Sequence, residues 1–215
     1  MDITNPAVED YIRTLLARHD EPVLLEMEAE GRERNFPIVG RMVGVVLELQ
    51  ARAIGARRVF ELGSGFGYSA YWFARAVGPT GEVHLTDGDP GNEPKALDYL
   101  GRAQLSGPIR FHVGDALSSF EKVDGEFDIV YCDVDKDGYP DAWRAARDRI
   151  RPGGLYICDN VLWSGKVAEP DPDDARPEYT EAILRHNELI AEDERYLSTI
   201  VPTRDGMFVA LRIAD

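Results

Sequence analysis

The chain has 215 residues, 44% of them hydrophobic, and its 39 acidic against 24 basic side chains give a formal net charge of −15. This apolar fraction supports a sizeable core and excludes a mainly disordered chain. The negative charge excludes nucleic acid as an expected partner, because such a surface repels a phosphate backbone.

The expected compartment is the cytoplasm. No apolar run reaches the roughly 18 residues that a membrane helix needs, and the first six residues lack the basic-then-apolar layout of a signal peptide. Cys132 and Cys158 lie in apolar runs, so we expect small core residues rather than a disulfide or a metal site.

Three helical stretches come first along the chain, at about residues 6–18, 22–31 and 40–54. They can pack over a sheet or reach a second subunit, and their periodicity does not distinguish the two.

From Arg57 onward, short apolar runs alternate with helical patterns, which is typical of an α/β domain. Helical spacing within residues 68–77, 93–104 and 140–150 supplies the crossovers that parallel strands require. The predicted strands are Arg58–Leu62, Glu82–Thr86, Ile109–Val113, Phe127–Cys132 and Leu155–Cys158.

The last part of the chain predicts a helix over Pro177–Ala191 and then a hairpin. Its two strands, Tyr196–Val201 and Met207–Ile213, flank the turn-rich segment Pro202–Gly206. We therefore expect one domain over residues 1–215, with helices in 1–55 and a sheet-based core in 56–215.

A glycine-rich turn follows the first predicted strand, in the segment Glu61–Ser69. Such a turn lets a ligand approach the backbone and a helix N-terminus. It does not fit the dinucleotide fingerprint, because Tyr68 or Ala70 stands where the third glycine belongs. The pattern weakens a dehydrogenase interpretation, and a tight strand-to-helix connection would produce the same turn.

Acidic residues at the next two strand ends suggest adenosine contacts. Asp87 can accept hydrogen bonds from both ribose hydroxyls, with Asp89 as its rival. Asp115, after the third strand, can reach an adenine amino group, although Asp is also favoured as a helix cap.

The fourth and fifth strands end in oxygen-bearing side chains. Asp133 follows the fourth strand, and Asp159 and Asn160 follow the fifth. These oxygens suit Mg²⁺, whereas solvated loop carboxylates are the alternative.

Together these motifs resemble the cation-dependent, S-adenosylmethionine-dependent O-methyltransferases of the catechol and caffeoyl-CoA O-methyltransferase group. The resemblance runs from about Asn35 to the C-terminus. The matching stretches are Phe60–Ser69, Asp87, Gly114–Ala116, Phe127–Tyr139, Gly153–Gly165 and Asp205–Gly206.

The resemblance implies a Rossmann-like class I methyltransferase fold, an α/β architecture. Its seven-stranded, mostly parallel sheet would have an antiparallel C-terminal hairpin and helices on both faces. Mg²⁺ or another divalent cation would be held by Asp133, Asp159 and Asn160. The implied S-adenosylmethionine contacts are Val39, Glu61, Gly63, Ser69, Asp87, Asp115, Ala116 and Asp133.

The resemblance also implies a mechanism. Two adjacent acceptor oxygens would bind the cation, which lowers the pKa of the attacking hydroxyl. Lys136 would take the proton, with Asp133 as its catalytic partner, although an ion pair with Asp135 or Asp137 would also explain this lysine. Trp163, Tyr139 and Tyr68 are candidates for an aromatic wall around the acceptor or for plain core residues.

The function so implied is methyl transfer to a hydroxyl of a catechol-like, vicinal dihydroxy aromatic small molecule, by a homodimer joined through the N-terminal helices. A nucleotide-dependent oxidoreductase and a non-catalytic S-adenosylmethionine-binding protein of the same fold remain as alternatives. Gly88 departs from the family pattern, which usually has a larger apolar residue against the adenine.

Overall fold

The computed structural model describes residues 5–169 and 171–214. The predicted absence of a leader rests partly on residues 1–4, which lie outside the described residues. The helices are α1 Pro6–Leu16, α2 Pro22–Glu33, α3 Gly40–Ala53, α4 Tyr68–Val77, α5 Asn92–Arg102, α6 Ala116–Glu121, α7 Tyr139–Ala146 and α8 Pro177–Ala191. The strands are β1 Arg58–Leu62, β2 Glu82–Asp87, β3 Ile109–Val113, β4 Phe127–Cys132, β5 Ile150–Cys158, β6 Tyr196–Val201 and β7 Met207–Arg212.

The seven strands form one sheet in the order β3-β2-β1-β4-β5-β7-β6. β1 to β5 pair in parallel, whereas β7 runs antiparallel to both β5 and β6. The strand order reverses between β1 and β4, and in open α/β sheets the ligand crevice lies at that point, beyond the carboxyl ends of the strands. The predicted fold is confirmed.

Helices cover both faces of the sheet. Alternate strand residues point to opposite sides, and here both sides are apolar and need cover. Val59 of β1 belongs to the apolar cluster under α3, α4 and α5, and its neighbour Phe60 belongs to the cluster under α6, α7 and α8. α3 packs closely on α4 at Gly44, where a Cβ atom would lie 2.1 Å from Nε1 of Trp72. The third N-terminal helix therefore packs on its own chain.

The largest differences from the predicted elements concern β5, α6 and α7. β5 begins at Ile150 rather than Leu155, because Ile150 pairs with Phe127 of β4 beyond an irregularity in the register that contains Pro152–Gly154, residues typical of turns. The short helix α6 lacks a long apolar period and was not predicted, and α7 ends at Ala146 rather than near residue 150.

Both cysteines are buried core residues with free thiols, as predicted. Cys132 and Cys158 are register partners on the adjacent strands β4 and β5. Within residues 5–169 and 171–214, no helix combines the length and apolarity needed to cross a membrane.

Candidate active site

A crevice of about 820 Å³ lies at the carboxyl ends of β1 to β5. Side chains and backbone from five strand ends meet there because the strands are parallel and end at one edge. Of the predicted site residues, those that line it are Val39, Gly63, Ser69, Asp87, Asp115, Ala116, Asp133, Lys136, Asp159, Asn160 and Trp163. Two predicted residues, Glu61 and Tyr139, do not line it.

The glycine-rich turn forms one wall of the crevice, and Gly63 fits because it has no side chain. Its φ of +83° lies in the left-handed region. A Cβ atom at this position would lie 2.5 Å from the main-chain oxygen of Asp133. The absent side chain thus lets the end of β1 approach the end of β4.

Asp87 braces this turn from the end of β2. Its Oδ2 accepts a hydrogen bond from the backbone N–H of Gly65 at 3.0 Å, and its Oδ1 accepts from the backbone N–H of Asp89 at 2.8 Å and from Nδ2 of Asn92 at 3.0 Å. The rival Asp89 is exposed and does not line the crevice. Of these two carboxylates, Asp87 is therefore the one that lines the crevice.

Asp115 caps α6, so the predicted cap role is present in the structure. Its Oδ1 accepts from the backbone N–H of Ser118 at 2.8 Å, and this hydrogen bond holds the pKa of the carboxyl below its usual range. The side chain also lines the crevice, together with Gly88. A Cβ atom at Gly88 would have no neighbour within 4 Å, so this part of the crevice is open.

Glu61 lies beneath the glycine turn and is 0% exposed. Neither carboxylate oxygen has a hydrogen-bond partner among the described residues. Burial raises its pKa to about 8, with Ser64 and Ser69 opposing that shift and Asp133 adding to it. A buried carboxylate that lacks a cationic partner in this way suits a positively charged group bound nearby.

The ammonium of Lys136 lies among the predicted metal-ligating oxygens. Its Nζ donates to Oδ1 of Asn160 at 3.1 Å and to Oδ1 of Asp133 at 3.4 Å. Burial lowers the pKa of Lys136, but the negative charge of Asp133 and its neighbours outweighs burial, and the net pKa is raised. Lys136 therefore pairs inside the crevice with Asp133, rather than with Asp135 or Asp137.

Asp159 completes this group of oxygens and is 2% exposed. Its Oδ1 has no hydrogen-bond partner among the described residues. Burial, and then the charge of Asp133, raise its pKa to about 7. A buried carboxylate oxygen without a hydrogen bond attracts positive charge, and the donor set of two carboxylates and an amide fits a hard divalent cation.

No group of three or more His, Cys, Asp or Glu side chains that could hold a metal ion occurs in residues 5–169 and 171–214. The predicted set contains two carboxylates and one amide, so its remaining coordination positions would belong to water and substrate.

The loop after β5 is strained where it presents Asn160 and Trp163. Asn160 has a φ of +56°, Trp163 of +48° and Ser164 of +55°, all in the left-handed region. Non-glycine residues adopt this region at a cost and concentrate at functional sites. The hairpin turn holds the loop in place, since the backbone N–H of Leu162 donates to the main-chain oxygen of Asp205 at 2.9 Å.

Aromatic side chains form the outer wall of the crevice. Trp163 packs against Tyr179 of α8, with ring centroids 6.1 Å apart, and both line the crevice. Tyr68 also lines it and donates its hydroxyl to Oε1 of Glu28 at 2.8 Å. Tyr139 is instead fully buried, and its hydroxyl donates to the main-chain oxygen of Asp159 at 2.8 Å. Of the two roles considered for it, that of a core residue therefore applies.

Several residues that line the crevice were not predicted as site residues, among them two aromatic residues and an arginine. Phe36 lies in the segment before α3, Tyr179 near the start of α8, and Arg204 in the β6–β7 turn. The segment that contains Phe36 matches the family only loosely, and no motif marks Tyr179. The available signal for Arg204 was its position in the hairpin turn, directly before the family motif Asp205–Gly206.

Comparison with known proteins places these features in a family. A family model described as O-methyltransferase matches residues 18–213. The chain is 30% identical over 216 residues to a catechol O-methyltransferase from Niastella koreensis, covering 95% of this chain and 96% of that protein. It is also 30% identical to caffeoyl-CoA O-methyltransferase 2 from Zea mays, covering 79% of this chain and 68% of that protein.

Solved structures of O-methyltransferases are similar to this chain as well. The O-methyltransferase TomG from Streptomyces achromogenes, involved in tomaymycin synthesis and solved in complex with SAM, superposes with a TM-score of 0.85 at 28% identity, covering 97% of this chain and 96% of that chain. An O-methyltransferase from Bacillus cereus in complex with SAH gives a TM-score of 0.84 at 28% identity, covering 96% and 97%.

Proposed function

The chain belongs to the O-methyltransferase family and is an S-adenosylmethionine-dependent O-methyltransferase, and we propose that it methylates one hydroxyl of a catechol-like small molecule with the help of a divalent cation. One observation carries the proposal: Asp133, Asp159 and Asn160 line the same crevice as the glycine turn, and Asp133 and Asn160 both accept hydrogen bonds from the ammonium of Lys136. Family membership removes the oxidoreductase alternative.

For the cofactor, we assign Asp87 to the ribose hydroxyls and Asp115 with Ala116 to the adenine. Each follows a strand end and lines the crevice, and Gly88 leaves open space next to them. Val39, Gly63, Ser69 and Asp133 line the rest of the proposed cofactor site. The buried, unpaired carboxylate of Glu61 lies below and would balance the positive charge that S-adenosylmethionine carries.

For the cation, we assign Asp133, Asp159 and Asn160, and Mg²⁺ suits their oxygens. When bound, the cation would acidify the acceptor hydroxyl and fix it in line with the sulfonium methyl group. In the structure, the ammonium of Lys136 is hydrogen-bonded to two of these three side chains. It must therefore move away before they can bind a cation.

Lys136 is the proposed general base. It can accept a proton only as a neutral amine, and its pKa is raised while Asp133 faces it. Positive charge held by the same carboxylates would lower that pKa. The hydroxyl oxygen would then bond to the methyl carbon as the sulfur–carbon bond breaks, the electron pair of that broken bond would go to sulfur, and the hydroxyl proton would go to Lys136.

For the acceptor, we propose an aromatic ring held against Trp163. This residue lines the crevice with Tyr179 and Tyr68, next to the oxygens of Asn160. A flat, apolar ring with two adjacent hydroxyls matches an aromatic wall beside a hard cation site. Tyr139 has no direct role in this proposal because it is buried behind the crevice.

We propose a homodimer that uses α1. This helix has no buried residue, and Val8, Tyr11 and Leu15, spaced three and four residues apart, are 50%, 62% and 57% exposed. Such a row forms one apolar stripe along a helix. Light scattering of the wild type and of a Tyr11→Glu, Leu15→Glu variant tests this, since a dimer through α1 should become a monomer.

We also propose a cytoplasmic location. Cys132 and Cys158 are register partners on neighbouring strands and remain free thiols, as proteins of a reducing compartment usually keep them. Localisation of a tagged chain in cell fractions tests it.

Transfer of a labelled methyl group from S-adenosylmethionine to a panel of catechols, with Mg²⁺ or with a chelator, tests the reaction. We expect transfer that stops on chelation and is lost in Asp133→Asn. The matched control is Asp141→Asn, an exposed position on α7 that pairs with Arg144. Transfer that persists in the chelator would refute the cation requirement, and methylation of non-catechol acceptors alone would refute the acceptor class.

A further inference from the structure

A second cavity of about 830 Å³ opens beside the crevice. Phe36, Pro37, Ile38 and Arg204 line both cavities, so Arg204 can be reached from either one. The rest of the second cavity is formed by α1, α2 and the first residues of α3.

This cavity is basic on an acidic protein. Four arginines line it, Arg13, Arg32, Arg41 and Arg204, against a single carboxylate, that of Glu28. The chain as a whole carries a net charge of −15. A concave site lined by one sign of charge concentrates ligands of the opposite sign.

Two of the four arginines are already paired with carboxylates. Arg13 lies 3.6 Å from Glu9, and Arg41 donates to Oε2 of Glu28 at 3.0 Å and also pairs with Asp20. Their charges are largely satisfied within the protein.

The other two arginines are not paired. In the described parts of the chain, neither Arg32 nor Arg204 has an ion pair with a carboxylate. Arg204 donates from Nη1 to the main-chain oxygens of Ile38, at 3.0 Å, and Val39. Its Nε and Nη2 have no hydrogen bond to the described residues and can donate to a ligand.

The backbone at Arg204 is unusual. Its φ of +50° is in the left-handed region, which favours glycine. Its guanidinium passes close to Gly40, where a Cβ atom would lie 3.7 Å from Nη1. A long charged side chain held in a costly conformation at the junction of two cavities indicates a functional constraint.

We propose that the methyl acceptor carries an anionic group, a carboxylate or a phosphate, which Arg204 and Arg32 bind in the second cavity while the catechol ring lies against Trp163. The planar guanidinium matches both anions with paired, charge-assisted hydrogen bonds. This inference rests on the proposed function, because it names the kind of catechol that the crevice selects.

Binding to the protein loaded with S-adenosylhomocysteine and Mg²⁺ tests the inference without turnover. The probes are 3-(3,4-dihydroxyphenyl)propanoate, its neutral methyl ester and 2-(3,4-dihydroxyphenyl)ethyl phosphate, each titrated by calorimetry. We expect the wild type to bind at least one anion about tenfold or more tightly than the ester. The tighter of the two anions identifies the group for which the cavity is built.

Variants assign the preference to named residues. Arg204→Gln and Arg32→Gln should each reduce the preference for the anion, and Arg204→Lys should keep part of it. The matched control Arg185→Gln, exposed on α8 and outside both cavities, should leave it unchanged. Thermal unfolding of every variant shows that each one folds.

Binding of both anions no more tightly than the ester by the wild type, or no binding of either anion, would overturn the inference. So would an unchanged preference in both Gln variants. Weaker S-adenosylmethionine binding by Arg204→Gln, with an unchanged preference for the anionic probe, would also overturn it. Arg204 would then bind the carboxylate of the cofactor instead of the acceptor. Mg²⁺-dependent methylation of the neutral ester reports separately on the proposed function.

Discussion

Replacing Gly63 with alanine tests the close contact between the glycine turn and the end of β4. A Cβ atom here would lie 2.5 Å from the main-chain oxygen of Asp133, 2.9 Å from its carbonyl carbon and 3.2 Å from the backbone nitrogen of Val134. All three are main-chain atoms, so no side-chain rotation can relieve the clash.

The expected cost has two parts. Placing alanine in the left-handed region costs about 1–2 kcal/mol, and overpacking costs about 1–3 kcal/mol. Together they predict a loss of about 2–5 kcal/mol in the free energy of unfolding. For a chain of this size, each kcal/mol lowers Tm by roughly 2–4 °C, which gives a fall of roughly 4–20 °C.

Gly88→Ala is the matched control, since Gly88 lines the same crevice without a neighbour within 4 Å of its Cβ position. We expect this variant to stay within about 0.5 kcal/mol of the wild type in urea unfolding. At a temperature where Gly63→Ala is still folded, Mg²⁺ titration should show weaker binding, because the added methyl group pushes on the backbone of Asp133. Equal stability of the two variants would refute the contact on which this reasoning depends.

Three further predictions follow from the site. Asp87→Asn should raise the Kd for S-adenosylmethionine about tenfold or more with kcat retained at saturation, as calorimetry and saturation kinetics can measure. Lys136→Met should lower turnover by about 100- to 10,000-fold while Mg²⁺ binds as tightly as before or more tightly, because a competing ammonium is gone. Burial raises the pKa of Glu61 to about 8 from its ordinary 4.5, so its neutral form stabilises the fold below pH 4.5 and that stability is lost as the pH rises through 8. In the cofactor-free protein, urea unfolding should therefore show wild-type stability falling relative to Glu61→Gln between those pH values.

Each of these predictions has a contrary result. Weaker Mg²⁺ binding with unchanged cofactor affinity in Asp87→Asn would contradict its assignment. Turnover of Lys136→Met within tenfold of wild type would exclude that lysine as the base. A stability difference between wild type and Glu61→Gln that is constant with pH would contradict the raised pKa.

Local sequence signals were sufficient for most of the fold. The strands from Arg58–Leu62 to Phe127–Cys132 follow from short apolar runs ended by Gly or Asp, and that pattern is a property of neighbouring residues. β5 was predicted too short because Pro152–Gly154 resemble a turn, and the pairing with β4 is indeed irregular there, although Ile150 on its far side pairs with Phe127 of β4. Tertiary pairing here overrides local preference.

The site residues likewise fall into those that the sequence predicts and those that depend on tertiary packing. Asp87, Asp133 and Asp159 were found because strand ends of a parallel sheet share one edge, so topology alone brings them together. Arg204 reaches the main-chain oxygen of Ile38, 166 residues earlier, and no local pattern encodes that contact. Whether Tyr139 faces the crevice or the core likewise depends on how α7 packs on the sheet.

The position of β7 in the sheet makes the acceptor wall depend on the hairpin. β7 follows β6 along the chain, yet it pairs between β5 and β6, and its preceding turn holds the loop that carries Asn160 and Trp163. A chain truncated after Val201 would therefore lack both the antiparallel edge of the sheet and the contacts that fix this loop. The parallel strands β1 to β4, whose ends form most of the proposed cofactor site, would keep their pairing partners.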